Sequence, residues 1–175
     1  WGFDPARITE MDWWESRDLP GALHITATPA RHFSGRALRR NQTLWCSYVL
    51  DTGDLRLFMG GDSGYDTHFR EIGEKFGPFD LAILENGQYN LYWKHIHTLP
   101  EELADVQRDL RAKAVLPVHS GKFALALHDW DEPLEMAAKH ARLAGNRLLT
   151  PKIGETVSLD DTTRTFGNWW KTANP

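Results

Sequence analysis

Cysteine is nearly absent: Cys46 is the only one in 175 residues. No disulfide can therefore form within the chain, and it can assemble neither a cysteine-based zinc site nor an iron–sulfur cluster. A reducing, cytoplasmic setting is expected. Long apolar runs are missing too; no stretch reaches the ~18 residues of a membrane span, and no basic-then-apolar leader opens the sequence. Cations are not in surplus, with 20 Lys and Arg against 24 Asp and Glu and a formal charge of −4. Sequence-independent binding to nucleic acid needs many cations facing phosphates, so no nucleic-acid partner is expected. Internal repeats, low-complexity tracts and linker-like shifts in composition are lacking, and residues 1–175 read as a single unit. An initial methionine is lacking as well: the chain opens Trp1-Gly2-Phe3-Asp4-Pro5, which leads us to expect a fragment. What the chain does have is 41% hydrophobic and 25% charged residues, a balance that excludes a disordered tail or a collagen-like repeat.

Leu23–Thr28 alternates apolar and polar residues with a period of two and reads as a strand closed by Pro29. The segments Leu44–Asp51 and Leu55–Met59 flank Thr52-Gly53-Asp54 and read as a β-hairpin. The first of them is apolar on both alternating sets, so both of its faces are expected to be covered. Asp66 is placed to cap a helix running to about Lys75, which Gly77-Pro78 stops. Asp80–Leu84 is a short buried strand. Thr98-x-x-Glu101 has the spacing of a capping box ahead of a helix carrying Leu99, Leu103, Val106 and Leu110. Ala114–Val118 reads as a strand, and Pro117 places it at an edge or a strand end. A last helix spans about Pro133 to Leu143 with Gly145 after it. Beyond it, Glu155–Leu159 is expected as a strand and Trp169-Trp170 as an apolar anchor. Strands alternating with helices after an opening hairpin indicate a layered α/β fold with a mixed sheet.

Three polar groups lie just past apolar strands: His32, Asp62 and His119. Strand ends in layered α/β folds converge on one rim, so these residues can meet in space. Two imidazoles and a carboxylate form a set that zinc accepts, although a lone histidine beside a strand is far more often a hydrogen-bonded structural residue than a ligand. Gly60-Gly61-Asp62-Ser63-Gly64 suits a tight turn that brings backbone close to something; an ordinary strand-to-helix loop would use the same residues. His95-x-His97 is crowded into a short connection, which favours separate roles over joint chelation. Arg31, Arg36, Arg39 and Arg40 form either a solvated loop or a set of guanidinium forks for an anionic group. His119-Ser120-Gly121 lacks the Gly-x-Ser-x-Gly elbow, no phosphate-cradling Gly-rich loop is present, and Cys46 falls inside a strand.

Six blocks occur in order: Thr28-Pro29-Ala30-Arg31-His32-Phe33-Ser34-Gly35-Arg36, Gly60-Gly61-Asp62-Ser63-Gly64-Tyr65, Phe79-Asp80-Leu81-Ala82, Asn86-Gly87-Gln88-Tyr89-Asn90, His97-x-x-Pro100-Glu101-Glu102 and Pro117-Val118-His119-Ser120-Gly121-Lys122-Phe123. Together, from about Ile8 to Glu132, the chain resembles the C-terminal half of metallo-β-lactamase-fold hydrolases of the N-acyl-phosphatidylethanolamine phospholipase D type, related to the ascorbate-phosphate lactonases. The resemblance implies an α/β fold that is the C-terminal half of an αββα sandwich, one mixed sheet with flanking helices. It implies two zinc ions, with His32 a ligand of the first, His119 a ligand of the second and Asp62 bridging both. Asp62 would be catalytic through that bridge. His97 would be catalytic without touching metal, polarising the scissile phosphoryl or carbonyl group or assisting proton transfer. Arg31 and Tyr89, inside the matching blocks, would bind substrate. A metal-held hydroxide would then attack a phosphodiester or ester-like bond in a small molecule or lipid.

The resemblance has a gap. The family's N-terminal half carries His-x-His-x-Asp-His, which this chain lacks. A catalytic zinc takes three protein ligands plus water, and the residues here offer each ion two. The chain alone is therefore expected to be inactive and to bind zinc weakly or not at all. The exposed inner face of its sheet is expected to pair with a missing N-terminal half or a second copy. Ser120, where relatives often have Trp, would open the pocket beside His119. Two other readings stand beside this one: a non-catalytic interaction module built on the same half-fold, and a nucleic-acid hydrolase, which the charge disfavours.

Overall fold

A computed structural model describes residues 2–35, 38–123 and 125–173. Trp1 and Arg36, on which the sequence reading drew, lie outside the described residues. The fold is one six-stranded mixed sheet in sequential order. Strands β1 (Ser16–Leu19), β2 (Leu23–Pro29), β3 (Cys46–Asp51) and β4 (Arg56–Met59) pair antiparallel, and β5 (Leu81–Glu85) and β6 (Val115–Val118) add on in parallel. The parallel joins need crossovers. Helix α1 (His68–Phe76) supplies the one from β4 to β5 and α2 (Leu103–Leu110) the one from β5 to β6, while α3 (Glu132–Ala144) follows β6.

The helices cover one face of the sheet. The cross-strand register puts Val49, Phe58, Ala82 and Val115 on that face, where they pack with Phe69, Ile72, Leu103, Val106, Leu110 and Ala137 in a single core. Phe58, Ile72 and Leu110 are fully buried. On the other face Leu81, Ala114 and Leu149 form a smaller cluster, against which Leu57, Ile83 and Leu116 of the sheet and Val157, Leu159 and Phe166 of the tail pack. Tyr48 and Leu50 on this face stay partly exposed, and Met59 is exposed. The expectation that both faces of β3 are covered therefore fails on this side, because that cluster draws on β4 to β6 and on no residue of β3.

Three other expectations are corrected. Thr67, not Asp66, is the N-cap of α1; the Asp66 carboxylate instead meets Arg31 at 2.7 Å. Helix α2 starts at Leu103, and the reach-back bond of its entry runs from Leu99 N–H to the Glu102 carboxylate at 2.9 Å, one residue off the expected box. Thr98 is diverted, its hydroxyl donating to the Ser63 carbonyl. Residues 155–159 form no strand and are irregular chain. Strand β1 has an exposed, non-alternating sequence and was not foreseen. The edge position of β6 and the burial of Trp170 agree with expectation.

Candidate active site

Topology decides which residues can meet. Strands β2, β4, β5 and β6 all run the same way, since β2 and β4 are each antiparallel to β3 and the last two join β4 in parallel. Their C-terminal ends therefore share one edge, and the residues just beyond them gather there. His32 follows β2, Asp62 follows β4, His97 lies in the connection after β5, and His119 directly follows β6.

All four line one cavity of about 630 Å³, together with Phe33, Arg40, Gln88, Trp93 and Leu125. The His97 ring lies between the other two, with centroids 5.3 Å from His32, edge-on, and 5.8 Å from His119, stacked. His119 Nε2 is 3.7 Å from Asp62 Oδ2, and both side chains are 40% exposed, open to the cavity. His32 Nδ1 is 2.9 Å from the Phe33 carbonyl. A ring donating there from Nδ1 keeps its Nε2 lone pair free, the arrangement in which a histidine serves as a ligand.

Glycines allow the loops to close this tightly. A Cβ on Gly87 would lie 1.6 Å from the His119 carbonyl oxygen, and one on Gly64 would lie 2.4 Å from the His95 carbonyl carbon. The glycine-rich turn around Asp62 thus presses against the segment that carries His97. His119 itself has φ of 68°, in the left-handed region that non-glycine residues rarely occupy. Such backbone strain persists only where the surroundings over-determine it. Gln88 ties down the far wall: its side chain donates to the Phe123 carbonyl and accepts from the N–H groups of Leu125 and Ala126.

The structure does not bring every candidate here. The Arg31 side chain turns to Asp66 and the Tyr65 carbonyl. Tyr89 lines a separate cavity of about 260 Å³, where its hydroxyl donates to Glu132 at 2.6 Å; burial and the carboxylates around it hold its pKa well above the usual phenol value. His95 is exposed while His97 is buried, which separates the pair as its crowding implied. Of the arginine group, Arg40 reaches the cavity, its guanidinium over the Phe33 ring. Glu85, the last residue of β5, was missed. It is 3% exposed, and its Oε1 lies 3.3 Å from His97 Nδ1. A carboxylate closing an apolar strand (LAILE) was the available signal.

The donors at the rim suit a borderline cation such as zinc. Among the described residues, however, no group of three or more His, Cys, Asp and Glu side chains is arranged to hold a metal ion.

A family described as the beta-lactamase superfamily domain matches residues 3–120. The outer membrane protein RomA of Klebsiella pneumoniae is 56% identical over 100 residues, covering 57% of this chain and 76% of that protein. The mitochondrial N-acyl-phosphatidylethanolamine-hydrolyzing phospholipase D of Saccharomyces cerevisiae is 39% identical, covering 87% of this chain and 35% of that one. The solved structure of Igni18, a metallo hydrolase from Ignicoccus hospitalis, superposes with a TM-score of 0.65 at 21% identity, covering 85% of this chain and 59% of that one. Its fold is that of this chain. The chain spans less than half the length of the curated relatives that match it along most of its own length.

Proposed function

The chain belongs to the beta-lactamase superfamily, and on that premise we propose that it carries half of the catalytic apparatus of a dinuclear zinc hydrolase. Its target is a phosphodiester or ester-like bond in a small molecule or lipid. The observation that carries this reading is the meeting of His32, Asp62, His97 and His119, from four separate loops, in one cavity. A scaffold has no need of three metal-type donors at one sheet edge.

His32 and His119 would each offer one imidazole, and Asp62, in the loop after β4, would offer a carboxylate to both ions. When bound, zinc supplies the positive charge that makes water a nucleophile near neutral pH. His97 meets the reacting group of the substrate, and Arg40 and Trp93 shape its seat. The remaining ligands come from a segment outside this chain. That assignment rests on the donor shortfall and on the greater length of the relatives, and it makes the 175-residue chain inactive by itself. The lone thiol fits a cytoplasmic setting, and no helix is long and apolar enough to cross a membrane among the described residues.

The test uses a full-length protein containing this segment. Bound zinc is measured by mass spectrometry, and turnover on phosphodiester and lactone substrates. Asp62→Asn is expected to lower both metal content and turnover; full metal content in that variant overturns the bridging role. His97→Ala is expected to lower turnover roughly 100-fold or more with metal retained, and loss of zinc would instead make His97 a ligand.

A further inference from the structure

We propose that Glu85 is a positioning residue that holds His97 as its Nδ1–H tautomer and presents an unprotonated Nε2 to the cavity. The proposal rests on the reading of His97 as the group that meets substrate. Glu85 and His97 are both deeply buried, their side chains 3% and 9% exposed. Glu85 Oε1 accepts the Thr98 N–H at 2.7 Å, and the same oxygen is 3.3 Å from His97 Nδ1, out of line for a hydrogen bond. Glu85 Oε2 and His97 Nδ1 consequently have no hydrogen-bond partner, each being a buried polar atom. Among the described residues, His97 is the one basic group within ion-pair distance of Glu85.

Buried polar groups in folded proteins are paired, and an unpaired carboxylate is the costliest to leave. The unpaired Nδ1 lies beside this carboxylate, nearest to Oε1, and next to a carboxylate oxygen a ring nitrogen is satisfied by donating. With a proton on Nδ1, a small turn of the ring closes the contact into a charge-assisted hydrogen bond. With the proton on Nε2, the Nδ1 lone pair would confront a carboxylate. Large ring movements are blocked, because His32 and His119 lie against the ring. The backbone on either side is fixed, with the His97 N–H on the Trp93 carbonyl and the Thr98 hydroxyl on the Ser63 carbonyl. In the neutral ring so held, Nε2 accepts a hydrogen bond or a proton and cannot donate one. Of the two roles open to His97, this selects proton acceptance from a hydroxyl or water over polarising a phosphoryl or carbonyl oxygen.

The direct test is nitrogen-15 NMR of the histidine-labelled 175-residue chain, with His97 identified by the signals missing from a His97→Gln spectrum. The wild-type ring is expected mainly as Nδ1–H. Glu85→Gln, which replaces the charged acceptor by a neutral amide oxygen, is expected to lower the Nδ1–H share, while Glu85→Asp keeps Nδ1–H. A wild-type ring found mainly as Nε2–H overturns the proposal, whether or not any variant folds. In the full-length protein Glu85→Gln is expected to lower kcat about 10- to 100-fold, with KM and bound metal unchanged. An unchanged kcat in a variant whose Nδ1–H share has fallen overturns the catalytic consequence. If the full-length wild type neither binds zinc nor turns over substrate, the hydrolase reading fails by itself and the tautomer result is unaffected.

Discussion

Single side chains near the site differ in how far their places could be read without coordinates. The meeting of His32, Asp62 and His119 in one cavity was legible because each is a polar residue set just beyond an apolar run. Glu85 was not, because a carboxylate at the end of LAILE looks the same whether it faces water or a buried ring. His68 was equally silent, being an exposed-looking residue at a helix start. It is buried, with Nε2 3.1 Å from the Ser63 hydroxyl, which also meets the Arg31 N–H and the Gly64 carbonyl. Burial lowers its pKa from 6.5 to about 4, with Asp66 pulling up and Arg31 pushing down by smaller amounts. The unfolded chain therefore binds a proton that the folded one refuses between those two values. Stability from this group is fully present above pH 6.5 and is lost as the pH falls towards 4. Between pH 7 and pH 4.5 the loss should be roughly 2–3 kcal/mol. Urea unfolding at the two pH values should show it in the wild type and a much smaller difference in His68→Asn. Of the carboxylates with lowered pKa, Asp51, Asp80 and Asp161 act mainly below this window, and Glu135 and Glu155, which touch its acid end, do so equally in both proteins. Equal losses in both proteins would mean that His68 is already charged when folded.

Whole elements followed their sequence patterns where local signals agreed. Strand β2, the β3–β4 hairpin and α3 with Gly145 at its left-handed C-cap were legible because alternation, turn chemistry and capping point one way. They failed where tertiary contacts outbid local preference. Thr98 gave up capping to bond Ser63, and residues 155–159 carry strand-like alternation yet do not join the sheet, Val157 and Leu159 packing instead on the cluster of Leu81, Ala114 and Leu149. That tail is held by its end. Trp170 is 1% exposed, with its indole N–H on Glu135, and Trp169 donates to the Thr150 carbonyl. Trp170→Ala should cost about 3–5 kcal/mol, in the range of other buried aromatic truncations. Limited proteolysis should then cut between residues 155 and 168 before the sheet is attacked. Cleavage elsewhere first would show that the tail is secured by its contacts with the sheet and not by its terminal anchor.

At the level of the molecule, sheet direction explains why residues nearly ninety positions apart reach one rim, a relation invisible in any local window but implied by strands alternating with helices. The two faces of that sheet differ. One face is sealed by three helices, whereas on the other a smaller cluster shared with the tail draws on β4 to β6 and leaves Tyr48 and Leu50 partly open beside exposed Met59. These residues sit on the sheet whose edge carries His32, Asp62 and His119, and the curated relatives matching most of this chain are more than twice as long. One further layer laid on this face would bury the apolar residues and bring donors to the rim in a single step. Without that layer, the hydrophobic effect drives the face onto whatever apolar surface is at hand, and a second copy is always present. Sedimentation of the 175-residue chain should therefore show mass rising with concentration in the micromolar range. Met59→Lys places a charge that pairing would have to desolvate, and should weaken association by about tenfold or more, equivalent to roughly 1.4 kcal/mol. In the full-length protein the same change should reduce stability without altering subunit number. A chain that stays monomeric at all concentrations would mean that the half-open face is stable in water as it stands.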